Sequence, residues 1–60
     1  MERRTPIDAA ACFRQGLAHA RRREYDHALV RFTEAIDLDP DCAETYHRRG
    51  NALDALGDPA

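Results

Sequence analysis

The chain has 60 residues, 43% hydrophobic and 33% charged, with a formal net charge of −2 from 9 basic and 11 acidic side chains. A chain this short makes one domain at most, residues 1–60, and buries only about 60% of the surface its unfolded form exposes. The apolar share is that of a chain that folds. The acidic balance lacks the basic excess that nucleic-acid backbones demand, and no stretch approaches the ~20 apolar residues of a membrane span. The start, Met1 to Pro6, has no apolar run behind its charges, so a cytoplasmic location is expected.

Thr5-Pro6-Ile7-Asp8 opens the first predicted helix: Thr as cap, Pro in the first turn, Asp completing a capping box. Alanines follow without interruption by Pro, and Arg21-Arg22-Arg23 supply cations to the negative end of the helix dipole. Helix 1 is expected over residues 6–22. Glu24 and Asp26 put negative charge at the start of a second helix, whose apolar stripe is Ala28, Phe32 and Ala35 with Leu29 and Ile36 beside it. It stops before Asp39-Pro40, because proline disfavours a helical residue in front of it, giving residues 26–38. Asp41 and Glu44 form another capping-box pattern. The third helix, 42–56, has Tyr46, Gly50 and Leu53 as its expected buried stripe, with Glu44, Thr45, Arg48, Asn51 and Asp54 outward. Gly57 and Pro59 end it. The short loops make neighbouring helices antiparallel.

The third helix copies the first. Displaced by 34 residues, Gly16 falls on Gly50, Ala18 on Ala52, Arg14 on Arg48 and, more loosely, Cys12 on Tyr46. A mid-helix glycine costs about 1 kcal/mol relative to alanine, so two at one spacing imply close approach of a neighbouring helix. A period of 34 with a helix–turn–helix unit resembles the tetratricopeptide repeat. Gly16, Ala28, Phe32, Ala35 and Pro40 match its small, aromatic and terminal-proline positions, and Tyr25-Asp26 its inter-helix turn. A first repeat spans about 9–42 and a partial second about 43–60. The implied fold is all-α: three antiparallel helices, one helix–turn–helix repeat plus a capping or half-repeat helix. The expected structural core is Gly16, Ala28, Phe32, Ala35, Pro40, Tyr46, Gly50 and Leu53. Cys12, Gln15, His19 and Arg49 depart from the family's usual large apolar residues, so the first helix packs less well than a consensus repeat.

The resemblance also implies a function. In this family the first helices of successive repeats line a concave groove that binds peptides or helices. Here that wall would be Ala10, Phe13, Leu17, Ala20 and Arg21, joined by Glu44, His47, Asn51 and Asp54. Phe13 and Leu17, at i and i+4, either form an apolar binding patch or fill the gap between helices 1 and 3. They occupy places where some members hold a partner's carboxylate with Lys and Asn, so that clamp is incomplete. The expected role is a protein-interaction module, binding a peptide or helix in the groove or associating with itself to complete its helical stack. No enzyme activity, metal or cofactor is expected, since Cys12, Cys42, His19, His27 and His47 fit no metal spacing and nothing supplies a pocket. The alternative is a small three-helix nucleic-acid-binding domain, disfavoured by Glu44 and Asp54 beside Arg48 and Arg49 on the third helix.

Overall fold

The computed structural model describes residues 6–57. They form three helices, α1 (Pro6–Arg21), α2 (Tyr25–Leu38) and α3 (Ala43–Gly57), with no strand among the described residues. The fold is all-α. The middle helix packs against both others, more extensively against α1 than against α3. Contacts across the first joint pair Cys12 with Glu34, Gln15 with Arg31 and His19 with His27. Numbers rise on one helix as they fall on the other, which is antiparallel packing. Of the expected start signal, Thr5 lies outside the described residues, as does Pro59 at the far end.

The first turn closes without glycine. Arg23 has a left-handed φ of 65°. Its N–H donates to the Ala20 carbonyl at 2.9 Å, and the Glu24 N–H donates to that of His19 at 2.9 Å. These two bonds satisfy carbonyls that the end of α1 would otherwise leave open. A Cβ is crowded in this conformation, which is why glycine usually occupies it. Here an outer bond helps instead: His19 Nδ1 donates to the Glu24 carboxylate at 2.7 Å.

The second turn departs from the expected capping box. Cys42, not Asp41, precedes the first residue of α3, and its carbonyl accepts from the Thr45 N–H at 3.2 Å. The Thr45 hydroxyl and the Thr45 and Glu44 N–H groups lie near the Cys42 sulfur and favour its thiolate. Glu44 is drawn away to Arg48, 3.1 Å from it one turn along. Gly57 is the last residue of α3 and lacks a positive φ, so it does not make the left-handed stop its type suggested.

The core lies where α2 meets its neighbours. Ala28, Phe32, Ala35 and Gly16 are buried, together with Ala9, Thr45 and Ala52. A Cβ on Gly16 would stand 2.5 Å from Cε1 of Phe32, so the glycine is a socket for that ring. The rest of the expected core is a correction. Pro40 is exposed in the turn; Tyr46 is 44% exposed, Leu53 51%, and a Cβ on Gly50 would meet nothing within 4 Å. The cause is which face each copy uses. On α1 the Cys12–Gly16–His19 face meets α2 while Ala11 and Ala18 are exposed. On α3 the face 34 residues on from Ala11 and Ala18, Thr45 and Ala52, meets α2 instead. Thr45, expected to point outward, is thus 3% exposed. Among the described residues no further helix covers the other face of α3.

Candidate interaction surfaces

Two surfaces have the shape to receive another chain. The inner one lies between α1 and α3 with α2 as its floor. A crevice of about 190 Å³ there is lined by Leu17, Ala20, Phe32, Arg48, Asn51 and Ala55, among others. A second, of about 150 Å³, lies towards the second turn between Ala10, Phe13, Asp39, Cys42 and Thr45. In the floor Phe32 is 1% exposed, pressed on Gly16 and met by the Phe13 ring at 5.8 Å and 45°. That tilted geometry suits the quadrupoles of two aromatic rings.

The expected groove residues divide on this geometry. Ala10, Phe13, Leu17 and Asn51 line the two crevices, with Ala20. Phe13 and Leu17 are half-buried against the core and present only their outer edges. Arg21, Glu44, His47 and Asp54 are exposed but line neither crevice. Arg48 and Ala55, which the resemblance did not supply, lie three before and four after Asn51. Helical spacing puts them on its face. Cys42 and Thr45 also line the second crevice, although Thr45 was expected to point outward.

The outer surface joins α3 to the back of α2. A groove of about 420 Å³ is lined by Leu29, Val30, Thr33, Glu34, Arg49 and Leu53. Val30, Tyr46, Leu53 and Leu56 are the exposed large hydrophobic side chains, each about half exposed. The Arg49 guanidinium lies over the Tyr46 ring, 5.9 Å from its centroid.

Electrostatic shifts sit at the two joints. The hydrogen bond from His19 holds the Glu24 carboxyl below its ordinary range, helped by the charge of Arg22. The Thr45 hydroxyl and backbone N–H groups likewise lower the Cys42 thiol. Burial, with the charge of Glu34, raises the Cys12 thiol. Among the described residues no group of three or more His, Cys, Asp or Glu could hold a metal ion, and no helix is long and apolar enough to cross a membrane.

A middle helix that buries Ala28, Phe32 and Ala35 between two similar helices, each offering it a different face, defines a helix–turn–helix unit of the stacking kind. A family model described as Tetratricopeptide repeat matches residues 9–42, more than half of the chain. The chain belongs to the tetratricopeptide repeat family. No curated protein and no solved structure matches it.

Proposed function

We propose that this chain is a non-catalytic protein-interaction module that takes a peptide or helix on its inner face. The family to which it belongs is one of protein–protein interaction modules. The observation that carries the finer reading is the crevice in which Leu17 and Ala20 of α1 face Arg48, Asn51 and Ala55 of α3 above the Phe32 floor. It combines apolar walls with one cation and one amide, the mixture that orients a bound chain while burying its side chains. Ala10 and Phe13 extend the surface, and the exposed Arg21, Glu44, His47 and Asp54 form its polar surroundings. A second reading, association of the chain with itself, is favoured by the exposed apolar residues on the outer side of α3.

Peptides selected from a displayed library against the folded chain test the first reading. The selected peptides are expected to shift the amide resonances of Leu17, Ala20, Arg48, Asn51 and Ala55. Ala55→Arg, at an exposed position, should abolish binding while leaving the helical circular dichroism unchanged. Selected peptides that instead move residues of the outer groove, or bind Ala55→Arg equally well, would overturn it.

A further inference from the structure

We propose that the Arg21-Arg22-Arg23 run at the first turn recognises acidic side chains of the chain bound on the inner face, so that the partner is a peptide with an apolar anchor flanked by Asp or Glu. The proposal rests on the peptide-binding reading of the crevice and adds the chemistry of its occupant. The run ends α1 and enters the turn, and all three residues are exposed. Ala20, immediately before the run, and Tyr25, two residues after it, both line the crevice. The arginines therefore border the end of the crevice, where a peptide lying in it passes out over the turn.

Two ordinary uses of such a run are already filled by other groups. At the end of α1 the His19 carbonyl accepts from the Arg22 and Glu24 N–H groups at 3.0 and 2.9 Å, and the Ala20 carbonyl from the Arg23 N–H at 2.9 Å. These carbonyls need no guanidinium. The acids beside the run are also engaged. Glu24 is bonded to His19 at 2.7 Å, and the Asp26 carboxylate accepts from the His27 N–H at 2.9 Å. Arg22 acts on Glu24 through charge alone. Among the described residues none of the three guanidinium groups makes a hydrogen bond or ion pair. Arg31 and Arg48, by contrast, bond to Glu34 and Glu44, and Arg49 covers the Tyr46 ring. Each arginine of the run thus keeps its whole planar fork of donors, which matches the two oxygens of a carboxylate. The crevice carries the same sign, since Arg48 is its one charged lining residue; the exposed Asp54 does not line it. Its apolar walls, Leu17, Ala20, Ala52 and Ala55, call for an apolar anchor beside the acids. The chain as a whole is net acidic at −2. That repels a long polyanion such as nucleic acid and selects a short acidic segment.

Short peptides selected from an unbiased displayed library against the full chain test this, together with a variant carrying Arg21→Gln, Arg22→Gln and Arg23→Gln. Glutamine is a comparable helix former, and the helical circular dichroism checks that the variant folds. Peptides that move the Leu17 and Ala55 resonances are expected to be enriched in Asp and Glu beside an apolar residue. The best of them should bind the variant about tenfold or more weakly, because several exposed charge pairs are lost together. Added salt should weaken binding to wild type and have little effect on the variant. In wild type the peptide should also shift the side-chain Nε–H resonances of the three arginines, a readout that needs no variant. Peptides that occupy the crevice without acidic enrichment, bind the variant equally well, or leave those resonances in place would overturn the proposal while the peptide-binding reading stands. Absence of any peptide from the crevice would remove both. Labelled random-sequence single-stranded DNA that bound wild type as tightly as the best peptide, and lost that binding in the variant, would also overturn the proposal by assigning the run to phosphates.

Discussion

Gly16 and Gly50 are one residue type at one register, yet their surroundings give substitutions opposite signs. Alanine at Gly16 gains about 1 kcal/mol of helix propensity. Its methyl, however, would have to displace the Phe32 ring, which is 1% exposed and lies 2.5 Å from where that methyl would stand. Overpacking of this kind costs about 1–3 kcal/mol, so Gly16→Ala should lower the denaturation midpoint while Gly50→Ala raises it in dilute solution. Urea titration followed at the helical circular dichroism band checks both. If Gly16→Ala proved as stabilising as Gly50→Ala, the ring-on-glycine packing would be refuted. This scale was the least legible from sequence. Spacing identified both glycines as meaningful, but what covers a glycine depends on which helices are present to cover it. Arg23 was missed for a related reason: only glycine announces a left-handed residue, and here arginine takes that conformation.

At the scale of the element, helix bounds followed from residue type to within about a residue, because Ala28, Phe32 and Ala35 recur at the α-helical period and Pro40 cannot continue a helix. Faces were harder. Tyr46, Gly50 and Leu53 form as good a stripe as any on α3, but the packed stripe is Thr45 and Ala52, two small residues with little hydropathy signal. The groove was half legible. Leu17 and Asn51 came from the family pattern, while Arg48 and Ala55 became visible only once the face of α3 was fixed. The turn between α1 and α2 also carries a pH dependence. The Glu24 carboxyl is held below its ordinary value in the folded chain. The folded state therefore favours its ionised form, and the stabilisation is complete above the ordinary carboxylate range. It disappears as pH falls through the lowered value. Glu24→Gln should melt at a lower temperature than wild type at neutral pH, with the gap closing in acid. A gap that widens in acid would contradict the His19–Glu24 bond.

For the whole molecule, the two joints are unequal: α1 lies against α2 over more of its length than α3 does. The α1–α2 pair holds the ring-on-glycine contact, the two aromatic rings and the Arg31–Glu34–Gln15 hydrogen bonds. The three-helix plan was legible in the sequence because it follows from local punctuation. The division of burial between the joints was not, because it depends on which surface of α3 turns inward.

The two thiols sit one at each joint, and their surroundings differ in kind. Cys12 lies beside Glu34, its ionisation suppressed by burial and by that negative charge. Cys42 heads α3, where hydrogen bonds favour the thiolate. Since the thiolate is the nucleophile, a sparing dose of a maleimide dye should tag position 42 well ahead of position 12 in the native chain, and tag both alike in strong denaturant. Peptide mapping by mass spectrometry reads the ratio; equal tagging in the native state would contradict the opposite shifts of the two thiols. The molecule thus carries its own pair of reporters, each wired to a different hinge, and a rising fluorescent yield at either one would say which hinge had opened.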